Sequence, residues 1–262
     1  MPVRIAHSHS TTNKKEWKKN MLKQILRPLA KKYATHYFCC SEVAGRWQFG
    51  NKEFDEGNVY TLNNAIDLDK YKYDKNIRQK QRKDLNIKDD IFVIGHIGRF
   101  MPVKNHKFII EVFNEIHKEN KNTLLLLAGQ GPLTNEIKMK TKELGLTRCV
   151  KFLGQRSDAN ELYQAFDTLF FPSLYEGLGM VPIEAQVSGL PCVVSSQLPN
   201  IVKITDNLEF LELDDTINTW KNTILDKVNK ERKSHSIEVK KAGYDIKTEV
   251  KKLEKKYIEL SK

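Results

Sequence analysis

The sequence predicts an α/β protein built on a parallel sheet covered by helices on both faces. Three observations carry this. After Asp90, short apolar runs alternate regularly with stretches whose apolar residues recur at helical spacing. Runs such as Thr123 to Ala128 are continuously apolar, as strands buried on both faces require. Glycine, arginine and glutamate residues fall in the loops after successive runs, at the carboxyl ends where such sheets bind ligands.

Taken in order, Val3 to Ala6 reads as a short buried strand that runs into His7-Ser-His-Ser. His-x-His can ligate a metal, but the spacing places no third ligand, so a catalytic or substrate-contacting histidine, or a structural pair, is the better reading. From Lys14 to Tyr33, Trp17, Met21, Leu22, Ile25, Leu26, Leu29 and Tyr33 form one apolar face of a helix bent near Pro28, with Lys and Arg on the other. Two readings stay open. The helix can lie on an anionic membrane surface, or it can pack its apolar face on its own domain with the lysines in water, which is commoner. Tyr37 to Cys40 and Val59 to Leu62 read as strands, and the turn-rich Asn63 to Asp74 as an interdomain linker. Asp67-Leu-Asp69 within it has the pattern of a metal-binding acidic pair, yet no further oxygen ligands accompany it, and no metal site is assigned.

Beyond Asp90 the pattern is regular. Strands are expected at Ile91 to Ile97, Thr123 to Ala128, Cys149 to Leu153, Thr168 to Phe171 and Cys192 to Ser195, with a short one near Phe210. Helices are expected around Asn105 to His117, Thr134 to Leu144, Ala159 to Phe166, up to Ser188, and from Asp245 to Leu260. Four consecutive strand ends carry loop chemistry: Gly98-Arg99 with Lys104, Gly129-Gln-Gly-Pro132, Gly154-Gln155, and Glu176-Gly177. At the last of these, Gly177 and Gly179 let the backbone approach a ligand, and Pro182 suits a helix's first turn. Free N–H groups there attract an anion, whereas the carboxylates of Glu176 and Glu184 would repel phosphate and hold hydroxyls instead. A nucleotide sugar carries both groups.

Composition bounds the partners. The chain has 262 residues, 40% of them hydrophobic, which suffices for one large domain or two modest ones. Its longest apolar run, Leu124 to Ala128, is far short of the roughly 18 residues of a membrane-spanning helix, and its start has no signal-peptide apolar region. A cytoplasmic protein is expected, and peripheral contact at the inner face of the membrane is the alternative that the basic helix leaves open. The four cysteines lack metal-ligand or disulfide spacing and read as small core or surface residues. A formal net charge of +11 favours an anionic partner, but no nucleic-acid motif accompanies it.

These residues resemble the retaining family 4 glycosyltransferases of the GT-B fold, and among them the capsular or exopolysaccharide type. Glu176-Gly-Leu-Gly-Met-Val-Pro-Ile-Glu184 is similar to the family's two glutamates separated by seven residues. Gly98-Arg99 with Lys104-Asn105 resembles its pyrophosphate clamp, and Ala128-Gly-Gln-Gly-Pro-Leu133 and Phe152-Leu-Gly154 resemble its second and third loops. The resemblance implies two Rossmann-like domains. Residues 1–65 would be a partial acceptor domain, 66–244 the complete donor domain, and 245–262 a crossover helix. A typical domain takes about 100 to 150 residues, so the chain is expected to lack most of its amino-terminal domain.

The resemblance also implies roles. Arg99 and Lys104 would neutralise the nucleoside diphosphate, Glu184 would hold the ribose hydroxyls, and Glu176 the donor sugar. Backbone N–H groups of Gly177, Leu178, Gly179 and Met180 would bind phosphate, beside the loops of Gly129, Gly131 and Gly154. His9 or His7 would match the functional histidine of the acceptor domain, His9 being favoured because it begins the loop. No cofactor or metal is implied: the donor, a UDP-sugar by preference, is a substrate, and the acceptor is a glycan, by preference lipid-linked. The runner-up reading is a nucleotide-binding remnant without turnover.

Overall fold

The computed structural model describes residues 2–9, 17–228 and 230–261. The chain divides into two compact units, Met1–Asp67 with Gly243–Lys262, and Leu68–Ala242.

The first unit carries β1 (Ile5–Ser8), α1 (Trp17–Tyr33), β2 (His36–Cys39), α2 (Glu42–Phe49), α3 (Asn51–Asp55) and β3 (Val59–Thr61), and the last helix, Ile246–Leu260. Its three strands are parallel, in the order β1-β2-β3. Cys39, Phe49 and Val59 make a small core, with Tyr37 stacked on Phe49 at 4.6 Å. The expected linker is packed rather than free. Ile66 bridges to Asp245 in parallel, and Asn63 donates to the Gly243 carbonyl.

Helix α1 reverses the commoner arrangement of a basic amphipathic helix. Lys23, Arg27 and Lys31, one turn apart, face the protein: Lys23 and Arg27 each stand 5.9 Å from the centroid of Trp47. Arg27 also donates to the Gln48 carbonyl at 3.0 Å, and Lys31 pairs with Glu53 at 2.8 Å. The apolar residues Met21, Leu22, Ile25, Leu26, Leu29 and Tyr33 point outward and are 45 to 63% exposed. The start expected at Lys14 lies outside the described residues.

The second unit begins with α4 (Leu68–Tyr71) and α5 (Lys75–Asp84), then alternates β4 (Phe92–Ile97), α6 (His106–Glu119), β5 (Thr123–Ala128), α7 (Thr134–Glu143), β6 (Val150–Gly154), α8 (Ala159–Ala165), β7 (Thr168–Phe171), α9 (Met180–Val187), β8 (Cys192–Ser195), β9 (Leu208–Leu211), α10 (Ile217–Leu225) and α11 (Ser236–Lys241). Its six parallel strands run β6-β5-β4-β7-β8-β9. The chain therefore builds outward from β4 through β5 to β6, then returns to build from β7 to β9 on the other side. The reversal between β4 and β7 opens a crevice at their carboxyl ends. Apolar residues of the inner strands and of α6 and α10, among them Ile94, Leu125, Phe113 and Trp220, form the core.

Helix α5 has few apolar residues and docks through arginine. Arg78 donates to the Phe166 carbonyl and pairs with Asp167 at 2.6 Å, while Arg82, 3% exposed, donates to the Lys88 and Ile91 carbonyls, both at 2.7 Å. Asp167 in turn accepts from the Val93 N–H at 2.7 Å, which fixes the entries of β4 and β7 together. All four cysteines are buried and free.

Candidate active site

The strand order sets the loops after β6, β5, β4 and β7 side by side, so the four loop motifs separated in sequence form one rim. Backbone hydrogen bonds join three of them. Gly98 N–H donates to the Ala128 carbonyl at 2.9 Å, Gly129 N–H to Gly154 at 2.7 Å, and Phe100 N–H to Gln130 at 3.2 Å. Gly129 is required by this contact: its φ is +134°, and a Cβ there would stand 2.0 Å from the Gly98 carbonyl oxygen. At Gly131 a Cβ would stand 2.5 Å from the Phe100 carbonyl. Gly154 turns the chain out of β6. Beside these loops lies a cavity of about 920 Å³, bounded among others by Arg99, Gly131, Asn135, Gln155 and Leu162. That volume is in the range of small-molecule sites.

Lys104 ends a single 3₁₀ turn, Pro102–Lys104, and the left-handed Asn105 (φ 57°) then starts α6. The Leu174 N–H donates to the Val103 carbonyl at 2.8 Å and draws the loop after β7 against this turn. As a result Lys104 Nζ donates to Glu176 Oε1 at 2.5 Å and stands 4.6 Å from the centroid of Phe171. The two side chains are 17% and 14% exposed, so this pair is largely shielded from solvent. The cation and carboxylate with separate expected roles are thus partners of one another. Arg99 is exposed on the rim.

Gly179, with φ +84°, precedes α9 and makes no side-chain cap, which leaves first-turn N–H groups of Met180 and its neighbours open to an anion. Leu178 is buried, while a Cβ on Gly177 would meet no atom within 4 Å. Glu184, one turn into α9, accepts from the Tyr163 hydroxyl at 2.7 Å. Burial raises its carboxyl above the ordinary value and the Tyr163 bond opposes this. Tyr71 is pushed up to about 12, chiefly by burial and then by the charge of Glu184. Neither tyrosine is evident from the sequence as part of the site. Both sit on elements, α4 and α8, with no loop motif.

A second pair escaped the sequence. His96, at the end of β4, bonds the Phe170 carbonyl through Nδ1 at 2.9 Å, and its ring lies 4.8 Å from that of His106. His106 stacks on Phe100 at 4.0 Å. The Nε2 of His96 and both ring nitrogens of His106 are buried without a hydrogen-bond partner. His106 is lowered to about 4, by burial first and then by Lys104. A histidine lowered in the folded state takes up its proton in the unfolded state first. Stability should therefore fall as pH drops from about 6.5 to about 4, by roughly 3 kcal/mol from this group. Urea midpoints measured across that window test it, and a His106→Phe chain should show a shallower slope.

In the first unit, His7 and His9 stand at the end of β1 with ring centroids 4.1 Å apart. Partial burial, then the charge of His9, lowers His7. Asp69 pairs with Lys72 at 2.6 Å, and among the described residues no three His, Cys, Asp or Glu side chains gather as a metal site.

Against known proteins, residues 77–242 match the family described as Glycosyl transferases group 1. The chain belongs to that family. This group 1 chain is 36% identical over 227 residues to EpsF of Bacillus subtilis (strain 168), named as a candidate glycosyltransferase, covering 86% of this chain and 59% of EpsF. It thus spans less than two thirds of that relative. It is 25% identical over 266 residues to the Escherichia coli UDP-Gal:alpha-D-GlcNAc-diphosphoundecaprenol alpha-1,3-galactosyltransferase, covering 98% of this chain and 69% of that one. Among solved structures, Anabaena Alr3699/HepE in complex with UDP-glucose aligns with a TM-score of 0.78 at 20% identity, over 97% of this chain and 72% of that one. WaaG, a glycosyltransferase involved in lipopolysaccharide biosynthesis, aligns at 0.68 and 17%, over 91% and 69%. These likenesses show the GT-B glycosyltransferase fold: one Rossmann-like sheet unit and a smaller sheet.

Proposed function

We propose that the second unit is the donor site of a retaining glycosyltransferase that moves a sugar from a UDP-sugar to a lipid-linked glycan in capsular or exopolysaccharide synthesis. The observation that carries this is the joining of four loops into one rim with Arg99 and Lys104 on it. The nucleoside enters the cavity beside Gly131 and Gln155. Glu184 accepts from the ribose hydroxyls, and the diphosphate meets Arg99, Lys104 and the N–H groups from Gly177 to Met180.

As the diphosphate arrives it competes for Lys104, which frees Glu176 to accept hydroxyls of the sugar. When the glycosidic bond to phosphate breaks, negative charge grows on the leaving diphosphate, and the two cations and the amides stabilise it. The polysaccharide role and lipid-linked acceptor draw support from the relatives' names, and His9, or His7, is the candidate functional histidine of the first unit. A peripheral cytoplasmic enzyme fits this reading.

The test is transfer from UDP-galactose and UDP-glucose to an undecaprenyl-diphosphate-linked sugar. Glu176→Gln, which removes the charged competitor for Lys104, should bind UDP at least as tightly as the wild type while kcat falls roughly 100-fold, the cost of about one transition-state hydrogen bond. Undiminished kcat would remove Glu176 from the sugar. UDP binding without transfer to any acceptor would leave only nucleotide binding.

A further inference from the structure

Glu184 is held in place without a cation. Among the described residues no Lys, Arg or His pairs with it, and burial alone would favour its neutral form. What it has is one donor. The Tyr163 hydroxyl donates to Oε2 at 2.7 Å, while Oε1 accepts nothing from the described residues. We infer that Tyr163 is a positioning residue, which fixes one oxygen of Glu184 so that the other is left for the ribose, and thereby sets the preference of the site for ribonucleotides. This rests on the donor-site reading and adds to it a residue that acts through Glu184 rather than on the ligand.

The outermost torsion of a glutamate is broad, so an unheld carboxylate spreads over many orientations, and a bond to one oxygen selects among them. The donor must itself be fixed and must keep its proton. Tyr163 is fully buried in α8, its ring meets Phe166 edge-on at 6.2 Å, and its carbonyl accepts from Arg232 at 3.1 Å. Burial first, then the charge of Glu184, pushes its hydroxyl well above the ordinary value, so the oxygen stays protonated and donates. Gln164, the next residue, donates to the Lys72 carbonyl at 3.2 Å and ties α8 to the chain just after α4. The same helix bounds the cavity beside the loops through Ala159 and Leu162, so the donor and part of the cavity wall belong to one element.

The experiment is calorimetric titration of the full chain with UDP and with dideoxyuridine diphosphate, which lacks both ribose hydroxyls. The wild type should prefer UDP roughly tenfold or more, and Glu184→Ala should abolish that preference. Tyr163→Phe should reduce the preference roughly fivefold through UDP alone, with affinity for the dideoxy ligand held within about twofold, which excludes general damage to the fold. In Glu184→Ala/Tyr163→Phe, which leaves neither partner unpaired, the ratio should equal that of Glu184→Ala, as required of a residue that acts through another. Three results would overturn the inference and leave the ribose role of Glu184 standing: a full preference in Tyr163→Phe while Glu184→Ala loses it, equal weakening of both ligands by Tyr163→Phe, or a ratio that Tyr163→Phe still changes once Glu184 is absent. A full preference in Glu184→Ala would instead remove the ribose role itself, and the inference with it.

Discussion

Lys104→Ala is expected to weaken UDP binding by roughly 3 kcal/mol, about 150-fold, and Arg99→Ala by roughly 1.5 to 3 kcal/mol, the range for hydrogen bonds to charged groups. The order reflects the site. Arg99 stands exposed on the rim, whereas Lys104 shares a shielded position with Glu176 at 2.5 Å. Removing Lys104 takes away a cation and also leaves a carboxylate without its counter-charge close to where the diphosphate must sit. The double variant Lys104→Ala/Glu176→Gln should therefore bind UDP better than Lys104→Ala alone. Calorimetric titration of the four chains separates these contributions. Equal affinity for the wild type and both alanine variants would remove the clamp, and failure of the Gln substitution to recover affinity would remove the coupling.

Gly129→Ala is expected to destabilise the second unit by roughly 3 to 5 kcal/mol, adding a strained backbone conformation to overpacking. The new Cβ would have to displace the Gly98 carbonyl, and through it the start of the Arg99 loop. Stability and UDP binding should be lost together. Gly177→Ala, whose Cβ meets no atom within 4 Å, should change stability by less than about 1 kcal/mol. Urea unfolding of both chains gives the comparison, and a Gly129→Ala midpoint equal to that of Gly177→Ala would show that the close approach to Gly98 is not required.

The large sheet was legible because its strands are buried on both faces, and Thr123 to Ala128 could be little else. The loops were legible for the same reason: continuous strands have sharp ends, and a glycine or a charge stands just past each end. Helix α5 was not. Ile77 is the sole aliphatic among Lys75 to Asp84, so a search for apolar periodicity passes over a helix that docks through Arg78 and Arg82 to backbone carbonyls. The facing of α1 escaped on similar grounds, since a periodic stripe gives the angle of a face but not its partner, and Lys23, Arg27 and Trp47 reversed it. Nor could His96 and His106, ten positions apart, announce that a strand end and a helix start would bury them together. The Lys104–Glu176 pair likewise depends on a backbone bond between Leu174 and Val103 that no spacing encodes.

The strand order also sets a timetable. Strand β4 is flanked by β5 and by β7, and the contact from His96 to Phe170 spans 74 positions. At roughly 5 to 20 residues per second of synthesis, β4 waits about 4 to 15 s for its second neighbour to emerge. Throughout that interval the strand destined for the middle of the sheet is an edge, open to pairing with any other nascent chain. Yield from rapid expression should thus depend on chaperone supply and on translation speed between β4 and β7 more than on the stability of the finished fold.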